Sequence, residues 1–464
     1  MAAAIHSTLL GNVEEHELEQ CGMIKPGPSG AAKRTVSGAM LSPPSSDSCS
    51  TSSTASTITA SFWEDTTDLE NCSFDMIIDP VSVDALEGIG FNTDTSVIIW
   101  QRYQDRDPQS PDSLLDFVLG HIEEQSRFES SNDTEAMTRM GLSEELQERL
   151  LSPQFVAIFK TESLSFWVRD TLECRYGAIL HIISRAKNMA ARSVRVRSKP
   201  TERTSLSNTE WQPPTDTPAA VQPLAAPSTV APALPMTKTS VSNTLEDFNL
   251  PEARVAIVPS EPATKPGHVK LYKAIAGSRC ITWLSAEGVV KPDRVVTGRG
   301  GDFNGTHEAW YWTRELTTAE KYRSWAHHRL PESDVWIISV QVSEHWLAQQ
   351  QSANLNFSKP WRWYVSKCKQ REKPREEEKK FAKVDILSGH ICTGMTYNVT
   401  SIPEAEVDTT LDRSFVLQHE GVNCTQHCVM NEDKMQEMFE IAKGAVHVDV
   451  NPPMHPRNLK KVTK

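Results

Sequence analysis

The residues of this chain best suited to chemistry gather between Gly298 and Ala326, in the run GRGGDFNGTHEAWYWTRELTTAEKYRSWA. Gly298, Gly300, Gly301 and Gly305 lack a Cβ, so the backbone can take positive φ and approach a ligand closely. Trp310, Tyr311 and Trp312 form an aromatic run favoured in strands and suited to stacking on a flat ring. Thr317 and Glu320 have the spacing of a capping box. A glycine loop, an aromatic strand and a capped helix in so short a space suggest a nucleotide-like ligand. Asp302 adds a carboxylate able to cap the loop through backbone N–H groups.

Other chemistries fit less well. His419, Cys424, His427 and Cys428 are zinc-ligand types. They lack a second paired motif, however, and neighbours in a strand face opposite sides, so no metal is expected. The glycine run has no Lys-Ser/Thr and no helix directly after it, which excludes a Walker-type phosphate loop. Cys392 reads as a buried structural thiol rather than a nucleophile. Lys369 to Lys380, KQREKPREEEKK, reads as an exposed charged loop.

The chain that must position these residues has 464 of them, 38% hydrophobic, with a net charge of -12. An acidic balance argues against a general nucleic-acid partner. No run of about 18 apolar residues is present, so no membrane span is expected. The first residues lack a basic segment followed by an apolar core, so secretion is not expected. Nine scattered cysteines form no disulfide framework. A cytoplasmic or nuclear setting fits best.

Residues 1–95 are rich in Ser, Thr and Gly, and the expectation is a disordered low-complexity region. Within it, Phe62-Trp63 through Met76-Ile77-Ile78 reads as a transient strand or an interaction peptide. Residues 111–197 carry helical periodicity and predict a helical module. Its longest helix runs from about Glu162 to Arg195, where Leu164, Val168, Leu172, Tyr176 and Leu180 recur every four residues. Pro200 to Pro266 holds twelve of the 28 prolines, which predicts a linker over 198–266. Residues 267–447 alternate strands and helices with short connections and read as one α+β domain. Residues 448–464 are a basic tail.

The order of motifs in that last domain resembles ADP-ribosyltransferase-like domains of a poorly characterised microbial family. It begins with the strand holding Leu271-Tyr272-Lys273, then Gly301-Asp302-Phe303 with Tyr311-x-Thr313. A Thr317 helix, Val384-Asp385-Ile386-x-x-Gly389 and Gln426-x-x-Val429 follow. The whole sequence is also similar to uncharacterised fungal proteins. The resemblance covers roughly residues 268–442 and implies a split, twisted β-sandwich that grips NAD. It further implies that Lys273 holds the adenosine ribose or a phosphate, that Tyr311 and Thr313 pack the nicotinamide beside Gly301, and that Gln426 occupies the position of a catalytic carboxylate. Glutamine supplies no negative charge to a developing cation, and Glu420 or Glu432 would have to compensate. The resulting expectation is a non-catalytic or weakly active interaction module with a protein partner. The alternative is an active NAD-dependent ADP-ribosyltransferase or NAD glycohydrolase.

Overall fold

A computed structural model describes residues 10–27, 31–44, 57–63, 73–127, 132–198, 244–280, 283–285, 287–394, 396–451 and 453. The chain is a mixed α+β protein with several sheets. Strands His268–Ala276 and Val335–Ser343 pair antiparallel over nine residues, and Val446–Asn451 extends that sheet antiparallel to the second of them. The run VWIISVQV is buried on both faces, as a central strand must be.

The sheet is completed by two strands from regions read as a disordered tract and a linker. Ile58–Phe62 pairs parallel with Val446–Asn451, and Val255–Ile257 pairs parallel with Ile58–Phe62. Residues 1–95 are therefore not uniformly without packed structure: they supply an internal strand, a Lys33–Ser37 and Ser73–Ile77 pair, and helices at Asn12–Gln20, Val83–Ile89 and Thr93–Gln104. The physical reason is that ITASF offers Ile58 and Ala60 to one buried face, and its ladder bonds are made to segments far away in sequence. Composition averaged over a Ser/Thr-rich tract does not register such a strand.

The expected linker is likewise structured at its end. Leu245–Phe248 and Glu252–Arg254 are short 3-10 turns, and Phe248 and Leu250 are fully buried. Most of the proline-rich stretch, residues 199–243, lies outside the described residues, as does 454–464 of the expected basic tail. The start of that tail is no tail, since Val446–Asn451 is a strand.

A second, four-stranded sheet has the order Trp310–Trp312, Thr425–Val429, Ile386–His390, Ser352–Leu355. Both sheets contribute to one core, with Trp336, Ile338 and Val448 from the first and Trp310, Trp312 and Val429 from the second. Trp310 and Trp312 are thus core residues, and Trp312 also reaches the wall of the cavity described below. The sheets meet at one bridge, where Tyr272 N donates to Thr313 O at 2.7 Å and Thr313 N donates back at 3.0 Å.

The helical region packs on this body rather than standing apart. The long helix Leu164–Ser198 carries Val168 and Leu172 into a core shared with Val118 and Ile122 of the helix Leu114–Ser126. Trp325 of the helix Leu316–Arg329 and Ile391 enter the same core. The basic end of the long helix has local partners. The Arg185 guanidinium lies 4.2 Å over the Phe248 ring, and Arg192 pairs with Asp247 at 2.6 Å. Among the described residues, no helix is long and apolar enough to cross a membrane.

The internal place of Ile58–Phe62 gives a direct expectation. Ile58 is 1% exposed, and truncating such an isoleucine to alanine typically costs about 2–5 kcal/mol. Ile58→Ala should lower the denaturation midpoint of the entire body in one transition. A melt unchanged from wild type would mean that the strand is peripheral.

Candidate functional site

The bridge between the sheets opens into a cavity of about 280 Å³. Lys273, Gly301, Tyr311, Thr313 and Gln426, all singled out from sequence, line it together. Strand geometry explains the convergence. Tyr272 opposes Thr313 across the bridge, which sets the neighbouring Lys273 beside the aromatic strand. Its Nζ lies 3.3 Å from Tyr311 O and 3.4 Å from Thr297 Oγ1. Thr425–Val429 is the strand next to Trp310–Trp312, with Cys428 opposite Tyr311, and its period of two turns Gln426 to the same side as Cys428.

Within the cavity wall these side chains already have bonds. The Tyr311 hydroxyl donates to Asn304 Oδ1 at 2.9 Å and accepts from Phe303 N at 2.9 Å. Burial holds its phenol well above the ordinary tyrosine range, so it stays protonated. Tyr311 is therefore the strut of the glycine loop as well as part of the cavity wall. Thr313 donates its hydroxyl to the Glu315 carboxylate, which also accepts from Thr425.

Gln426 Nε2 donates to Asp302 Oδ2 at 2.8 Å, and Cys392 N donates to the same oxygen at 2.7 Å. The other oxygen, Oδ1, pairs with Lys369 Nζ at 3.1 Å. Lys369 is 3% exposed and Asp302 6% exposed, so this is a buried ion pair. Burial disfavours the ammonium, but Asp302 and then Glu162 outweigh it and hold Lys369 above the ordinary lysine range.

Lys369 corrects the reading of 369–380 as an exposed loop. It ends the helix Lys359–Lys369, on the stripe of Trp361 and Val365, both fully buried. Trp361, Val365 and Lys369 at i, i+4 and i+8 put the lysine on an apolar helix face, a legible signal of a buried cation.

Its ammonium also donates to Thr161 O at 2.8 Å, which anchors the turn before the long helix against the site. Thr161, Glu162, Phe166, Trp167, Asp170 and Cys174 thereby form one wall of the cavity. Trp167 meets Trp325 edge-on at 5.7 Å. The Asp170 carboxylate pairs with Arg279 at 2.7 Å and Arg329 at 2.8 Å. Burial pushes the Asp170 carboxyl up, but those two guanidiniums outweigh it and hold it below the usual range. None of this wall was foreseeable from the site motifs, because it comes from the helical region.

Other expectations change. Of the four loop glycines only Gly300 takes positive φ, at 91°. Gly301 is required by space: a Cβ there would lie 2.5 Å from Asn304 Oδ1 and 2.9 Å from the Tyr311 hydroxyl. Gly305 backs onto the Cys368 Cα in the same way. The Thr317–Glu320 capping box does not form, since the helix starts at Leu316 with Glu315 before it and Glu320 pairs with Arg323. Glu420 and Glu432 are exposed and do not line the cavity. The carboxylates that do are Glu162, Asp170 and Asp302.

Cys392 is fully buried, and burial followed by Asp302 pushes its thiol up to about 12, which suits a structural thiol. His427 Nδ1 lies 2.6 Å from Ser388 Oγ. Among the described residues no group of three or more His, Cys, Asp or Glu lies together as metal ligands do. No family model, curated protein or solved structure matches this chain.

Substitutions at two positions test this geometry. Asp302→Ala strands the buried Lys369 ammonium, and breaking a buried pair in this way typically costs about 3–5 kcal/mol. Chemical denaturation should show a loss of that size, with Asp302→Asn losing less because its side chain still hydrogen-bonds. Gly301→Val should cost roughly 1–3 kcal/mol through overpacking. A wild-type denaturation midpoint in both Asp302→Ala and Gly301→Val would contradict the arrangement described.

Proposed function

We propose that this cleft binds NAD in the manner of an ADP-ribosyltransferase-like domain, the two sheets being the halves of a split, twisted β-sandwich. The observation that carries the reading is the convergence of Lys273, Gly301, Tyr311, Thr313 and Gln426 on one cavity. Three strands and a loop bring them together. Small-molecule sites run from roughly 300 to 1,000 Å³, so a cavity of about 280 Å³ takes one end of a dinucleotide and leaves the rest along its mouth. In this reading Lys273 meets a phosphate or ribose oxygen, and the nicotinamide lies against Tyr311 and Thr313.

Gln426 offers an amide that Asp302 already engages, and it gives no charge to a developing ribosyl cation. A protein limited to that strand would bind NAD and cleave it weakly or not at all, acting as an interaction module. The second reading, an active NAD glycohydrolase or transferase, is favoured by the carboxylates of Glu162 and Asp302 in the same cavity.

Calorimetric titration of the full chain with NAD tests binding. Lys273→Ala should weaken it about tenfold or more, since a hydrogen bond to a charged group contributes roughly 1.5–3 kcal/mol. No heat at millimolar NAD would rule out an NAD site. Nicotinamide release that disappears in Gln426→Ala would reject the non-catalytic reading.

A further inference from the structure

We propose that Glu162, delivered from the helical region, is the general base of this cleft and that the reaction it serves is hydrolysis of an N-glycosidic bond by water. The inference rests on the NAD reading of the cleft and takes up its active form. Three observations lead to Glu162. It lines the same cavity as Tyr311, Thr313 and Gln426. Its backbone is fixed there, because Lys369 bridges Thr161 O at 2.8 Å and Asp302 at 3.1 Å while Asp302 holds Gln426 at 2.8 Å. Ser163 Oγ then accepts from Phe166 N at 3.1 Å, capping the long helix immediately after it. Glu162 is thus held from both sides by its neighbours, and its own carboxyl makes no hydrogen bond or ion pair with any described residue.

The other two carboxylates of the cavity are already engaged. Asp302 accepts two hydrogen bonds on one oxygen and the Lys369 ammonium on the other. Asp170 is paired on both oxygens with arginines. Asp170 is held ionised by those arginines, and the oxygens of Asp302 are occupied by their three donors.

The groups acting on Glu162 set its basicity. Burial raises its carboxyl, Lys369 opposes this, Asp302 raises it further and Arg371 opposes again, leaving it at about 7. Tyr322 and the Cys392 thiol also feel its charge, and both are held protonated by burial. A general base is most effective when its pKa lies near the working pH.

In the step inferred, the bond between ribose C1′ and the nicotinamide nitrogen breaks, and its electron pair leaves with that nitrogen, cancelling the pyridinium charge. A water oxygen forms the new bond to C1′, and its proton passes to the Glu162 carboxylate and then to solvent. The products are ADP-ribose and nicotinamide. Phe166 and Trp167 line the same cavity as Glu162, and water is the acceptor in this step.

The test uses the full-length chain, NAD as probe, and nicotinamide release measured alongside calorimetric binding. Glu162→Gln keeps size and removes the base; a thermal melt checks that it folds. Binding should change less than about threefold while release falls by roughly 10²–10⁴, the usual contribution of a general base. In wild type the rate should rise as pH passes through about 7, because the raised carboxyl is neutral below that value and ionised above it. That inflection should vanish in Glu162→Gln. Wild-type binding without nicotinamide release, or a variant with the wild-type rate and pH profile, would overturn this inference and leave the binding site standing. No binding by wild type would overturn both.

Discussion

The ion pair of Lys369 with Asp302 is the contact on which the cleft depends. Two charges are taken out of water, which is costly unless hydrogen bonds satisfy what the pair leaves over. Here Cys392 N and Gln426 Nε2 complete Asp302, and Thr161 O completes Lys369. One carboxylate thereby ties the glycine loop to the central strand of the second sheet. One ammonium ties the end of the helix Lys359–Lys369 to the turn that begins the long helix. The glycine loop is held from its other side by Tyr311 and Asn304, whose amide donates to Gly298 O at 2.8 Å and His307 O at 3.0 Å.

This arrangement makes the cleft a joint product of distant regions. The first sheet is assembled from segments beginning at residues 58, 255, 268, 335 and 446, and the cavity wall comes from residues 161–174. Asp170 between two arginines, and Trp167 against Trp325, fasten that wall. Shared cores of this kind couple the stability of one region to the geometry of another, because close-packed interiors transmit displacement rather than absorb it. A change in the helical region therefore reaches the cleft directly.

The electrostatic consequence is an uneven set of carboxylates. Asp170 is held ionised by arginine forks, whereas Glu162 sits where burial competes with a lysine that already has a closer partner. Environments that separate the affinities of like groups in this way are how one site assigns different tasks to the same side chain.

The sequence by itself determined the local elements. The 3.6-residue period predicted the long helix, the apolar run VWIISVQV is legible as a buried strand, and the mixed α+β character followed from strands and helices alternating over short connections. Lys273, Gly301, Tyr311, Thr313 and Gln426 do line one cavity, because each sat on a short motif whose strand or loop character was readable. Tertiary structure alone decided what those residues touch. That Ile58–Phe62 is an internal strand depends on ladder bonds to residues some 390 positions away, which local composition does not encode. That Gln426 is engaged by Asp302, and that Glu162 stands in the cleft, depends on Lys369 being buried between them. Helical spacing marked that lysine as lying on an apolar face. Which carboxylate and which carbonyl it would find there is set only by how the elements pack, since a charge in a low-dielectric interior takes the partners that the surrounding fold brings within reach.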